Sequence, residues 1–225
     1  NFMNLYLDIL FIPLQIFVIS LSIYILFTAF VSFFPKKEEK FWTPKHRFAI
    51  LTAAHNEEQV IGQLVQNLTL LDYPKELYDI YVVADNCTDK TSEIAEKAGA
   101  IVYHRTNLIE KGKGFAVEWM LNNLFAQGKP YDAIVFFDAD NLVHPEFLME
   151  MNNRLEKGEE VIQGFIDAKN PNDTWIAGTF AIAFWLVNHF WHLAKYRMNL
   201  SAVLGGTGMC ISFKVVEKYG WGATS

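Results

Sequence analysis

The stretch Ala133-Ile134-Val135-Phe136-Phe137-Asp138-Ala139-Asp140 constrains this chain more than any other. Its apolar and aromatic residues read as a buried strand, and two carboxylates follow where that strand ends. In an open α/β sheet, ligands bind outside the carboxyl ends of the strands. Acids at alternate positions there suit a hard divalent cation, held through oxygen and shared with a substrate's phosphates. Asp-x-Asp alone also occurs in solvated turns, so the rest of the chain has to supply the context.

That context is an alternation of strand and helix patterns. Strands are expected at Phe48–Ala53, Tyr78–Ala84, Ile101–His104, Ala133–Phe137 and Val161–Phe165. Helices are expected at Val60–Leu71, Lys90–Lys97, Gly114–Phe125 and Pro145–Leu155, the last with proline in its first turn. Strands separated by helices of this length imply parallel βαβ units, hence an α/β sheet flanked by helices. No internal repeat or low-complexity segment interrupts the series.

With 225 residues, the chain has room for a full α/β core. Its 52% hydrophobic and 15% aromatic content is high for a protein without membrane contact. Ile9 to Phe34 carries no charged residue, long enough for a membrane helix, which needs about 20 residues. Lys36, Lys37 and Lys40 follow it, and cationic flanks mark the cytoplasmic side. The run is too long for a signal peptide and lacks a small-residue cleavage site. The expected organisation is a transmembrane anchor over residues 1–40 and a cytosolic domain over 41–225, at the cell (inner) membrane. Ile176–Ala194 is also uncharged. Were it to cross, all that follows would lie on the far side from Asp138 and Asp140, so a buried or membrane-surface helix is expected there. The net charge of -6 and the absence of a basic, aromatic-interleaved patch exclude a nucleic-acid partner. Cys87 and Cys210 have no metal-ligand spacing, and both read as reduced thiols.

Three loops at expected strand ends carry chemistry. Thr52-Ala53-Ala54-His55-Asn56-Glu57-Glu58 leads from the first strand to the first helix. There Glu57 can accept from a ribose hydroxyl or a base, and His55 can stack or donate; Asn56 can equally cap the helix. No glycine occurs in this loop, which excludes the dinucleotide fingerprint. After the second strand comes Val83-Ala84-Asp85-Asn86-Cys87-Thr88-Asp89. Asp85 can accept the imide N–H of uracil, while Thr88 or Asp89 caps the next helix. Lys111-Gly112-Lys113-Gly114 is a basic turn before a helix, without Walker A spacing. Lys113 can offset diphosphate charge as a point cation, or be simply solvated.

From Ala54-His55-Asn56-Glu57 through Asp85-Asn86 and Asp138-Ala139-Asp140 to Gly205-Gly206-Thr207-Gly208, the chain resembles family 2 glycosyltransferases of the GT-A fold. The preceding apolar helix makes it most similar to the cellulose-synthase-like and poly-N-acetylglucosamine-synthase-like branch. The resemblance covers roughly Phe48 to Phe213. It implies a Rossmann-like nucleotide-diphospho-sugar sheet, with Glu57 and Asp85 on the uridine of a UDP-sugar. It also implies Mg2+ or Mn2+ held by Asp138 and Asp140 on the diphosphate. Gly206, Thr207 and Gly208 would line the acceptor side, where glycine lets the chain approach a sugar closely. The implied reaction is an inverting transfer of the sugar to a glycan, lipid or other hydroxyl acceptor in polysaccharide biosynthesis.

Two departures from the family pattern stand out. Ala84 precedes Asp85 where paired acids are common. No Thr-Glu-Asp-like base motif and no Gln-x-x-Arg-Trp motif follow Gly208, so no catalytic base is assigned, and the chain reads as the front part of a longer enzyme. Glu146, Asp173 and Glu217 are the remaining acids near the later motifs. The alternatives are a nucleotidyltransferase, whose glycine-rich basic signature is missing after the first strand, and a non-catalytic glycosyltransferase-like membrane module.

Overall fold

The computed structural model describes residues 2–34, 42–201 and 203–222, which fall into two compact units. One is Glu39–Phe165 with Leu204–Ser225, the other Asn1–Glu38 with Ile166–Val203. Lys36, Lys37, Lys40 and the start of the linker at Phe41 lie outside the described residues.

In the first unit, six strands form one sheet: β1 (Phe48–Ala54), β2 (Tyr78–Asp85), β3 (Ile101–Arg105), β4 (Ala133–Phe136), β5 (Val161–Gln163) and β6 (Met209–Ser212). Their order is β3-β2-β1-β4-β6-β5. β3, β2, β1 and β4 are mutually parallel, as the alternation of strands and helices implies. β6 runs antiparallel to both β4 and β5, so the sheet is mixed. The sequence reading misses β6. Gly208 N–H donates to Phe136 O at 2.8 Å, so the chain arrives at the carboxyl end of β4 and has to run back down the sheet.

Residue alternation along the strands divides the core into two faces. Phe48, Ile50, Val82 and Val135 pack with α2 (Ile61–Leu68), α3 (Thr91–Ala98) and α5 (Phe147–Glu156). Ala49, Leu51, Tyr81, Val83 and Phe136 pack with α4 (Lys113–Gln127) and α8 (Phe213–Tyr219). Burial on both sides explains why these strands are continuous apolar runs. Left-handed glycines end two of the helices: Gly99 after α3 (φ 108°) and Gly128 after α4 (φ 62°). Cys87 and Cys210 are free, and burial pushes both thiols above their ordinary values.

The second unit is helical. It contains α1 (Phe2–Val31) and α6 (Trp175–Leu186), the latter continuing through π-helical turns at Val187–Leu193 into α7 (Ala194–Arg197). The sequence reading groups residues 166–203 with the sheet; here they cluster with the N-terminal helix. No residue of α6 is buried, so of the two readings for Ile176–Ala194, buried or membrane-surface, the buried one does not hold. An uncharged helix needs an apolar surround, but that surround need not be protein. Within the unit, Tyr24 meets Trp191 edge-on at 5.9 Å. Arg197 Nη1 donates to Ser32 O at 2.6 Å and Val31 O at 3.2 Å, satisfying carbonyls at the end of α1.

Candidate functional site

At the carboxyl ends of the parallel strands lies a cleft of about 760 Å³. It is lined by the loops that follow β1, β2 and β4 and by the start of α4. His55, Glu57, Asp85, Lys113, Asp138 and Asp140, all singled out in the sequence, line it together.

At one end, β1 and β2 finish side by side. His55 Nδ1 lies 2.7 Å from Asp85 O. A carbonyl only accepts, so Nδ1 carries the proton and Nε2 is the ring's acceptor in the neutral form. Asn56 and Asn86 both adopt left-handed backbone (φ 56° and 52°), a conformation asparagine tolerates better than most residues. Asn56 does not cap α2. Its Oδ1 accepts from Thr88 N–H at 2.8 Å, joining the two loops. Glu57 N–H donates to Thr91 Oγ1 (2.8 Å) and Glu58 N–H to Asp89 Oδ2 (3.1 Å). Asp89 also accepts from Thr91 N–H at 3.0 Å, close to the capping role expected of it.

Asp85 is buried, and its Oδ1 accepts from Arg105 Nη1 at 2.6 Å and from Asn86 Nδ2 at 3.1 Å. Neither bond uses Oδ2. Arg105 is equally buried, and its Nη2 also donates to Glu110 O at 2.8 Å. The sequence reading missed Arg105 because it ended the third strand at His104. A signal was present: in a parallel sheet, a lone cation closing one apolar strand faces the acid closing its neighbour. Asp85 and Arg105 are register partners.

At the other end, the loop after β4 carries Asp138 and Asp140. Asp138 N–H is shared between Asn141 Oδ1 (3.0 Å) and Thr207 Oγ1 (3.1 Å), and the Thr207 hydroxyl itself donates to Asn141 Oδ1. Lys113 Nζ bonds Asp138 Oδ1 and donates to Gly206 O at 2.8 Å. Gly206, Thr207 and Gly208 therefore brace the Asp138 loop and are not among the residues lining the cleft. Gly112 lines the cleft in a left-handed conformation (φ 110°) as the chain turns into α4. Among the described residues, no three His, Cys, Asp or Glu side chains gather as a protein-only metal cage. Two carboxylates at a cleft mouth suit a cation whose remaining positions go to water and phosphate oxygens.

The family described as Glycosyltransferase like family 2 matches residues 44–225. The chain belongs to this family. Probable glycosyltransferase YdaM of Bacillus subtilis (strain 168) is 32% identical over 186 residues, which are 77% of this chain and 42% of that protein. Beta-monoglucosyldiacylglycerol synthase of Synechocystis sp. is 35% identical over 107 residues, 47% of this chain and 22% of the synthase. The chain thus spans less than half the length of these relatives. The solved mannosyltransferase PcManGT from Pyrobaculum calidifontis, in complex with GDP-Man and Mn2+, superimposes with a TM-score of 0.67 at 16% identity. The match covers 89% of this chain and 54% of that one. The mixed sheet with its flanking helices is the GT-A fold. The resemblance read from the loops holds at the level of family and fold.

Proposed function

We propose that this chain binds a UDP-sugar in the cleft and serves an inverting transfer of the sugar to a glycan or lipid hydroxyl at the cytosolic membrane face. One observation carries the reading. Asp85 at the end of β2 and the Asp138–Asp140 pair at the end of β4 share a single cleft of nucleotide-sugar size. Asp85 Oδ2 accepts the uracil imide, a donor that cytosine lacks. Arg105 orients Asp85 through its bond to Oδ1, and Asn56 and Asn86 fix the loops that frame the base. Glu57 would accept from a ribose hydroxyl, and Lys113 would pass from Asp138 to the diphosphate.

Asp140 and Asp138 would hold Mg2+ or Mn2+, which supplies Lewis-acid stabilisation to a leaving diphosphate. The chain's own part is to bind and orient the donor. An acceptor proton would need a carboxylate within about 2.6–3.2 Å, and no residue here is assigned that task. Residues 1–40 would anchor the domain in the inner membrane, with residues 41–225 on its cytosolic side. The glycolipid synthase among the relatives supports a lipid as one acceptor class.

Isothermal titration with UDP, CDP, ADP and GDP, with and without Mn2+, tests the reading. UDP should bind tightest and more tightly with metal. Equal affinity for the four nucleotides, or a preference for GDP, would remove the uracil role of Asp85. Transfer from radiolabelled UDP-Glc and UDP-GlcNAc to membrane lipid and polymer then separates the acceptor classes.

A further inference from the structure

The segment between β5 and β6 leaves the sheet and returns to the same place in it. Gln163 of β5 and Met209 of β6 are register partners, and Gly164 N–H donates to Gly208 O at 2.8 Å. Between them lies Trp175–Arg197, a helix long and apolar enough to cross a membrane. No Asp, Glu, Lys or Arg occurs from Trp175 to Ala194. Its large apolar side chains are open, Trp175 at 81% and Ile182 at 62% exposure. Docking on one side would cover one stripe of such a helix, whereas an apolar solvent covers every side.

By length and composition this is a second membrane crossing. Topology forbids it. A chain that leaves and re-enters one pair of hydrogen-bonded strands has to cross a bilayer an even number of times. The return would fall to residues 166–174 or 198–208, whose described residues contain no helix. Non-helical backbone facing lipid leaves its N–H and C=O groups without partners, so it does not span.

The ends of the helix carry the residues of a membrane–water boundary: Trp175 at the start, and Trp191, Lys195, Tyr196 and Arg197 at the finish. Lys195 Nζ sits 4.4 Å from the Trp191 ring. The second half carries Asn188, His189, His192 and Lys195, whereas Thr179 is the one such polar side chain between Trp175 and Leu186. Arg197 bonds the last carbonyls of α1, tying this end to the end of the N-terminal apolar helix.

We propose that Trp175–Arg197 is a monotopic membrane helix, which enters the lipid leaflet on the sheet's own side and does not cross. Its occupant is the bilayer, and the inference is independent of which sugar nucleotide the cleft takes. Site-directed thiol labelling of the full chain in sealed vesicles tests it, in a Cys87→Ser background with the wholly buried Cys210 retained. Asn172→Cys and Ser201→Cys flank the helix, and Ala126→Cys reports the side of the sheet. An impermeant maleimide should label all three from the same side. Spin labels at Phe180→Cys and Ile182→Cys should relax with oxygen and be shielded from a water-soluble nickel chelate. Residues 172 and 201 should show the reverse. Labelling of residues 172 and 201 from opposite sides overturns the proposal. So does access of the nickel chelate to residues 180 and 182, or their shielding from both reagents, which would mean a protein cover. Two probe positions keep the test intact if one variant misfolds.

Discussion

The two ends of the cleft are both built from an acid and a base, yet they are built differently. At the end proposed for the nucleoside, the Asp85 and Arg105 side chains are 6% and 4% exposed. At the end proposed for the diphosphate, Asp138 and Lys113 are 42% and 41% exposed. Removing a charge from water is costly, and an opposite charge offsets that cost only with good geometry and further hydrogen bonds. Asp85 and Arg105 have both, through Asn86 and the Glu110 carbonyl. Lys113 and Asp138 keep water on both sides, where a pair contributes little and exchanges partners easily. On the proposed function, one end would be a fixed frame for the base, and the other a cation holder in which an incoming cation and the lysine would compete for one carboxylate.

The largest effect expected from this contrast is at Arg105. Arg105→Met leaves Asp85 as an unpaired buried carboxylate, which costs about 3–5 kcal/mol of folding stability. Urea unfolding followed by circular dichroism measures it. The double change Asp85→Leu/Arg105→Met should recover most of that loss, since no charge is left buried, while UDP binding stays weakened. A single Arg105→Met variant within 1 kcal/mol of the parent would mean that the pair is not buried in solution.

A smaller effect is expected in binding alone. Asp85→Asn keeps the shape but loses the anionic acceptor, so UDP affinity in the folded variant should fall by about 1.5–3 kcal/mol. CDP, which lacks the imide N–H, should lose less. Parallel losses for UDP and CDP in titration calorimetry would show that Asp85 acts only through the fold.

Smaller again is the metal increment. Two unit charges about 4 Å apart near a surface interact with roughly 1–4 kcal/mol, and exposure of this loop puts the value toward the lower limit. UDP affinity should rise with Mn2+ and fall back with EDTA, and Asp140→Ala should flatten that response. Metal-independent UDP binding by the unaltered chain would break the assignment of Asp138 and Asp140.

What was legible in the sequence follows the same divide. The parallel strands, the helices between them and the acids at their carboxyl ends could be read because apolar runs and their punctuation are local signals. Arg105 was not, because the local pattern ends the third strand one residue short, at His104, and its partner lies on the neighbouring strand. β6 was hidden for a related reason. Met209–Ser212 is four residues long, and it follows an excursion whose route back to β4 is set by the sheet. Asn56 was read as a cap because asparagine before a helix usually is one. Its left-handed backbone and the bond from Thr88 N–H give it to the neighbouring loop. Thr207 was placed on the acceptor side by resemblance, and its hydroxyl proves to be part of the Asp138 loop's own scaffold.

The smallest effect should come from Lys113, and it sharpens the comparison most. An exposed ion pair contributes about 0–1 kcal/mol, so Lys113→Met should change folding stability by less than about 1 kcal/mol, against several for Arg105→Met. Binding should respond in two opposite ways. Without nucleotide, Asp138 is freed of its partner, so Mn2+ should bind the variant more tightly than the parent, read as quenching of intrinsic tryptophan fluorescence or by calorimetry. With nucleotide, the diphosphate loses a point cation, so UDP affinity at zero metal should fall while the increment due to Mn2+ grows. Lys113→Arg keeps the charge and should stay near the parent in both assays. If Lys113→Met instead destabilises the fold as much as Arg105→Met, the two ends are alike, and the diphosphate end is as fixed as the nucleoside end. If Mn2+ affinity is unchanged without nucleotide, Lys113 and the metal do not compete, and Asp140 alone sets the cation's position.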